Sequence, residues 1–229
     1  MASLHVEFTE NFGLANPLFI NQGKISLGRF SKIIQSDFAG FGQVDDFSCL
    51  NRSKFGVGFG VGLYSYISDT VIGNFSLVGS RVSIGGFEHP TNRLAIGAFQ
   101  WGQSIHHWTV NENVIGNLSR NAKPSYKTTE IGNDVWIGSN SVIKAGVRLG
   151  NGVVVGAGSV VTKDTDGFQI VVGNPARRLR SRFSDEVIEE IQKSKWWDLP
   201  FEKISELDFS DVKSALNQIK LLTELNQVE

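Results

Sequence analysis

The chain has one cysteine and one methionine in 229 residues. A disulfide framework is therefore excluded, and Cys49 fits a reducing compartment, where its place in a degenerate repeat suits packing rather than chemistry. Histidine is scarce as well, at 4 residues, and four scattered imidazoles with one thiol do not make a zinc set. No metal is expected. No apolar run approaches the roughly 18 residues that membrane insertion by a helix requires. The N-terminal MASLHVEFTENFG lacks the basic flank and apolar stretch of a signal peptide, so a cytoplasmic protein is expected. Neither charge sign is in excess: 22 Lys and Arg face 23 Asp and Glu, for a net charge of −1. That balance gives no electrostatic footprint for nucleic acid. An apolar content of 41% is enough for a packed core and argues against disorder.

Glycine is abundant, at 25 residues against 5 prolines, and it recurs at fixed spacing. From Ile131 to Val161 the chain divides into sixes: IGNDVW, IGSNSV, IKAGVR, LGNGVV, VGAGSV. Ile131, Ile137, Ile143, Leu149, Val155 and Val161 lead the units. The second position is Gly132, Gly138, Gly150 and Gly156, broken once by Lys144. The fifth holds Val135, Ser141, Val147, Val153 and Ser159. A period of six suits neither an α-helix nor a simple amphipathic strand. It suits a parallel β-helix, in which each short strand turns one aliphatic side chain inward and a following turn uses glycine or asparagine to reach positive φ. Ile72-Gly73, Val78-Gly79 and Ile84-Gly85 repeat the theme. Residues from about 20 to 60 read as degenerate early coils, with a small antiparallel sheet as the alternative.

Residues 87–130 obey no period and carry Phe87, Phe99, Trp101, Trp108, Tyr126 and three of the histidines. A long aperiodic insertion of this composition is expected to leave the solenoid and cover a binding site. Beyond Asp164 the period ends. Ser184 reads as an N-cap with Asp185 and Glu186 in the first turn, and a second helix is expected after Ser210. These helices are expected to close the open end of the solenoid, with Trp196 and Trp197 as core. The chain thus reads as a β-helix domain over 1–180, with a loop excursion over 87–130, and a helical segment over 181–229.

The run WIGSNSVIKAGVRLGNGVVVGAGSVVTKD with GNPARRLR after it, the loop segment GFEHPTNRLAIGAFQWG and the C-terminal KWWDLPFEKI together resemble the hexapeptide-repeat acyltransferases. The likeness is closest to the branch holding the type B chloramphenicol and streptogramin acetyltransferases and many polysaccharide O-acetyltransferases. It covers about residues 60–205. The resemblance implies a left-handed parallel β-helix with a protruding loop and C-terminal α-helices, assembled as a homotrimer with active sites between subunits. It also implies acetyl-CoA as cosubstrate, lying along the groove between neighbouring β-helices.

Acetyl transfer to a hydroxyl requires removal of the hydroxyl proton as the new bond forms, and imidazole, with an unperturbed pKa of about 6.5, suits that task. His89 stands where the family has this base; a loop histidine with a structural hydrogen bond is the alternative. His106 and His107 are the rival bases; they are adjacent, so an extended backbone points them opposite ways and at most one would face the site, and contact with the acceptor or a neighbouring subunit is their expected role. Trp101 and Trp108 suit stacking on a sugar, or filling of the loop's own core. Trp136 matches the family's aromatic beside the pantetheine arm, Ala157 offers a backbone amide to it, and Lys163, Arg177 and Arg178 are candidates for the CoA phosphates. In HPTNRLAIGAFQW, Ala95 and Ile96 replace the Ser-Thr common in relatives, which removes hydroxyls from the acceptor side. O-acetylation of a carbohydrate hydroxyl is the expected activity. The alternatives are N-acetylation of an amino sugar, inactivation of chloramphenicol or a streptogramin, and, from another class, a non-catalytic β-helical scaffold.

Overall fold

The computed structural model describes residues 4–12, 18–20, 22, 24–97 and 125–225. Its body is a left-handed parallel β-helix followed by α-helices. Three stacks of short parallel strands form the faces. The first runs through residues 37–38, Lys54–Phe55, Thr70–Ile72, Thr129–Ile131 and Arg148–Leu149. The second runs through Ile25–Leu27, Gly42–Val44, Phe59–Val61, Leu77–Val78, Trp136–Ile137, Val154–Val155 and Gln169–Gly173. The third runs through residues 32–34, Cys49–Asn51, Tyr66–Ser68, Ser83–Gly85, Val142–Ile143 and Val160–Val161.

Each strand turns one large apolar side chain inward, and the column from Leu27 and Ile33 through Phe38, Val44, Leu50 and onward to Val161 is the buried core. The spacing along this column explains the weak period upstream. Passage from the first face to the second, and from the second to the third, takes six positions in every coil, as in Phe38 to Val44 to Leu50 or Leu149 to Val155 to Val161. Passage from the third face back to the first takes five positions from Ile33 to Phe38, from Leu50 to Phe55 and from Ile67 to Ile72. The same passage takes six from Ile143 to Leu149 and only four from Val161 to Thr165. From Ile84 to Ile131 it takes 47, which is where the excursion leaves. Every variation in coil length falls at this one corner. The tract expected to be degenerate is thus a regular stack of coils that are one residue short.

Antiparallel pairing in the N-terminal region is confined to its edge. Leu4–Glu10 lies along Lys32–Phe38 and Leu18–Ile20 along Ile25–Leu27, covering the hydrogen-bonding edge that the first coil would otherwise expose.

Glycine and asparagine do supply left-handed turns, at Asn140, Gly146, Gly152 and Gly158, with aspartate at Asp134. From Ile131 to Val161 positive φ thus belongs to the fourth position of each unit, not to Gly132, Gly138, Gly150 or Gly156; Gly85, where the excursion leaves, is a second-position glycine with φ 71°. Those four serve close approach between coils: a Cβ on Gly138 would lie 2.6 Å from Ala157 N, and one on Gly132 2.7 Å from Asn151 N. Upstream the left-handed turn position is filled by Phe30, Phe47, Tyr64 and Arg81. Their side chains stack outside the corner between the second and third faces, with Phe30 5.2 Å from Phe47 and Phe47 4.8 Å from Tyr64, centroid to centroid. Inside the same corner a hydroxyl ladder takes up the buried amides: Ser31 Oγ accepts from Ser48 N at 2.8 Å, Ser48 Oγ from Ser65 N at 3.1 Å and Ser65 Oγ from Val82 N at 3.2 Å.

Helix α1 (Asp185–Ser194), the short α2 (Phe201–Ile204) and α3 (Val212–Leu225) follow the solenoid. Ser184 begins α1 as expected, but its hydroxyl caps no backbone amide; it bonds the Glu186 carboxylate, which together with the backbone holds that group below its ordinary value. Trp197 is core, as expected. The segment does not stop at the open end of the solenoid. It runs back along the corner between the first and second faces, touching earlier coils in succession. Phe168 packs with Ile191, Arg182 bonds Asp134 at 2.9 Å, Asn74 donates to Trp197 O at 3.0 Å, and Phe41 meets Phe201 edge-on at 4.9 Å. Burial of aromatic side chains along this corner removes apolar surface from water and so favours the docked arrangement.

Candidate active site

The excursion leaves after Ser83–Gly85 on the third face and returns at Thr129–Ile131 on the first. Its two ends are zipped by antiparallel pairing of Phe87 with Tyr126 and of Glu88 with Ser125. Alternation along this short strand sends Glu88 to one side and Phe87 and His89 to the other. Glu88 is gripped by Lys144 at 3.0 Å and Lys127 at 3.6 Å, and the hydrogen bond from Lys144 is the main cause holding its carboxyl below the usual glutamate value. The Phe87 ring lies 5.4 Å from the exposed imidazole of His89.

His89 Nδ1 lies 2.5 Å from the carbonyl oxygen of Ile96. A carbonyl can only accept, so Nδ1 carries the hydrogen and the lone pair is left on Nε2. The segment from His89 to Ile96 thereby closes on itself. The contact uses the backbone of Ile96, so the replacement of Ser-Thr by Ala95-Ile96 leaves it untouched.

The sequence did not point to the support beneath this hairpin. Arg52, at a left-handed corner position with φ 45°, pairs with Asp69 through Nε–Oδ1 and Nη2–Oδ2, both at 2.8 Å. Burial raises the Asp69 carboxyl, and hydrogen bonds from Arg52 and Ser68 outweigh it, leaving the group below its ordinary value. The same guanidinium lies 4.6 Å from the centroid of the Tyr126 ring. Nothing in the local sequence marks Arg52, which sits in the tract whose period is broken.

The remaining candidates divide between corners. Trp136 projects from the second face between Leu77 and Val154 and is 55% exposed. Ala157 is exposed at the corner between the second and third faces. Arg177 and Arg178, both exposed, pair with Val172 and Val171 at the edge of the second face; the Arg178 guanidinium bonds Ser181 Oγ at 2.9 Å. Lys163 is exposed at the corner between the third and first faces, the corner from which His89 projects. Within one chain, therefore, Trp136, Ala157 and the arginines group together, while His89 and Lys163 occupy a different edge. Trp101, His106, His107 and Trp108 lie outside the described residues. Among the described residues no group of three His, Cys, Asp or Glu side chains could hold a metal ion, and no helix is long and apolar enough to cross a membrane.

Residues 128–163 match the family model described as bacterial transferase hexapeptide (six repeats). The chain is 34% identical over 138 residues to a chloramphenicol acetyltransferase of Klebsiella aerogenes, covering 60% of this chain and 63% of that protein. It is 32% identical over 122 residues to a galactoside O-acetyltransferase of Escherichia coli, covering 53% of this chain and 52% of that one. The chain thus spans less than two thirds of the length of these relatives. Among solved structures, a variant of AntD, an N-acyltransferase from Bacillus cereus in complex with dTDP and coenzyme A, is 20% identical with a TM-score of 0.52, covering 74% of this chain and 90% of that one. That likeness shows the fold. Repeat, motifs and fold agree, and the chain resembles the hexapeptide-repeat acetyltransferases of the chloramphenicol acetyltransferase branch.

Proposed function

We propose that this protein is an acetyl-CoA-dependent O-acetyltransferase that acetylates a carbohydrate hydroxyl by direct transfer, with His89 as general base. The observation that carries the reading is the 2.5 Å contact from His89 Nδ1 to the Ile96 carbonyl. It orients the ring and presents Nε2 as the proton acceptor, as a general base requires. In this scheme Nε2 takes the hydroxyl proton while the acceptor oxygen attacks the thioester carbonyl. The tetrahedral adduct then expels CoA thiolate, which recovers that proton from the imidazolium. The named acetyltransferases among the relatives support the donor, and the galactoside O-acetyltransferase supports a sugar acceptor. The identity with chloramphenicol acetyltransferases favours antibiotic inactivation as the second reading.

A cofactor group on one edge and a base on another call for a site shared between subunits. The exposed side chains agree. Tyr66 and Val142 on the third face, Leu77 and Trp136 on the second, and Phe30, Phe47 and Tyr64 along their shared corner form an apolar wedge. The first face instead presents Asp37, Lys54, Glu130 and Arg148 beside Val71. A homotrimer that packs the third face of one subunit against the second face of the next buries the wedge. It also brings the loop edge of one chain toward Trp136 of its neighbour.

The test is CoA-thiol release from acetyl-CoA with a panel of sugars, amino sugars and chloramphenicol, for wild type and His89→Ala, with sedimentation at the assay concentration. Acceptor-dependent release that falls by about 10²–10⁴-fold in the variant is the expected result. Release unchanged by His89→Ala sinks the base assignment. A monomer in sedimentation sinks the shared site. The absence of both release and acetyl-CoA binding leaves a β-helical scaffold.

A further inference from the structure

We infer that the Arg52–Tyr126 stack is a positioning device for His89, a role that rests on the base assignment above. The excursion adds 42 residues to the passage between Ile72 and Ile131, 59 positions apart, where a short coil needs 17. An insertion of that length gains little orientation from its own closure. Among the described residues, the placement of His89 rests on its contact with Ile96 and on what holds the two strands at the base of the excursion. On one side Glu88 ties the outgoing strand to Lys127 and Lys144. On the other, the side that carries His89, the contacts form an unbroken series of side chains. Asp69 holds Arg52 through two 2.8 Å hydrogen bonds. The Arg52 guanidinium carbon lies over the Tyr126 ring, 4.6 Å from its centroid. Tyr126 meets Phe87 edge-on at 6.1 Å, and Phe87 lies 5.4 Å from His89.

The two ends of this series differ in stiffness. Asp69 and Arg52 belong to adjacent coils whose backbone is fixed by parallel pairing on both sides. A guanidinium locked by a bidentate carboxylate has lost its rotamer freedom, so its stack on an aromatic face transmits position and not merely attraction. Tyr126 is 48% exposed, so its ring is held by this stack and by Phe87 rather than by burial. Loss of the stack frees the Tyr126–Phe87 pair to rotate about the short ladder. The Phe87 contact with the imidazole goes with it, and with that the alignment of Nδ1 on the Ile96 carbonyl.

The experiment compares Tyr126→Leu with Tyr126→Phe, since Arg52→Ala would strand the nearly buried Asp69 carboxylate and confound folding. Two readouts are taken. One is the separation of kcat from the KM for acetyl-CoA. The other is the ¹H–¹⁵N ring correlation of His89, recorded above the imidazole range, which reports the tautomer without any turnover. Tyr126→Leu is expected to lower kcat by about 10- to 100-fold, leave the acetyl-CoA KM and the melting temperature unchanged, and convert an Nδ1–H spectrum into a tautomer mixture. Tyr126→Phe, which keeps the ring face, is expected to match wild type in both. A wild-type tautomer spectrum in Tyr126→Leu overturns the proposal, as does a Tyr126→Phe variant damaged as much as Tyr126→Leu. If wild type transfers acetyl to no acceptor, the functional reading fails, and the tautomer spectrum still decides the positioning one.

Discussion

Gly138 and Gly158 stand near one another at the corner between the second and third faces, yet alanine at the two should fail for different reasons and by different amounts. A Cβ at Gly138 would lie 2.6 Å from Ala157 N, 2.9 Å from Ala157 Cα and 2.9 Å from Val155 O. All three are backbone atoms of the next coil and none can rotate away. Reaching ordinary contact near 3.4 Å requires the coils to part locally by about 0.5–0.8 Å, overpacking of a kind that costs about 1–3 kcal/mol. The same displacement stretches the 2.8 Å bond from Gly138 N to Val155 O and the 2.9 Å bond from Gly158 N to Ser139 O, adding about 1 kcal/mol. Gly138→Ala should therefore cost about 2–4 kcal/mol. Gly158 has φ +69° and nothing within 4 Å of the added Cβ, so Gly158→Ala incurs only left-handed strain of about 1–2 kcal/mol. Denaturant titration at one fixed protein concentration measures both. Ala157, whose amide is the proposed pantetheine contact, is the residue that Gly138→Ala displaces, so that variant should also raise the KM for acetyl-CoA, and Gly158→Ala should do so less. Equal destabilisation by the two substitutions would refute close coil approach as the reason for second-position glycines.

The fold and its N-terminal edge yield two further expectations. Leu50→Ala, at a fully buried third-face position, should cost about 2–5 kcal/mol, and Val71→Ala, 41% exposed on the first face, should stay within about 0.5 kcal/mol; the shift in denaturation midpoint measures both. Asp37 at 2.6 Å and Glu7 at 3.3 Å from His5 raise its pKa above the usual imidazole value of 6.5, with Lys54 also 4.0 Å from Asp37. A raised imidazole pKa stabilises the fold fully below pH 6.5 and loses that contribution as pH rises through the raised value. Hydrogen exchange corrected for its intrinsic pH dependence should then show Leu4–Glu10 losing protection across that window, and His5→Gln should abolish the loss.

How much of this was legible in the sequence depended on the corner. The coils from Ile131 to Val161 keep six residues on every side, with glycine, asparagine or aspartate at each left-handed turn, and both signals survive in a single sequence. Upstream, the passage from Leu50 to Phe55 lacks one residue and Phe47 and Tyr64 occupy turns that composition assigns to glycine, so period and turn chemistry vanish together while the geometry persists. His89 was legible because a motif surrounds it. Arg52 and Tyr126 were not, because their relation is a contact between a coil corner and the far end of an insertion 74 positions away.

A solenoid of triangular section has three corners, and in this chain each is committed differently. The corner between the first and second faces is covered along its length by the C-terminal segment, from Phe168 back to Phe41, and an insertion there would displace packed aromatic side chains. The corner between the second and third faces stacks Phe30, Phe47 and Tyr64 in register, and one extra residue would put the next ring out of line with its neighbours. Among the described residues the corner between the third and first faces stacks no aromatic column, only a hydroxyl ladder in which Ser36 Oγ accepts from Ser53 N and Ser53 Oγ from Thr70 N, both at 3.2 Å. Its passage varies from four positions to 47, while the inward column from Leu27 to Val161 stays in step on all three faces. Length change is tolerated where it leaves the stacking register of neighbouring coils unaltered. The placement of His89 follows from that constraint: a long loop that carries a base has one corner of this solenoid from which to leave, and residues such as Arg52 and Asp69, in the coils just before the exit, are the rigid ground on which it can be held.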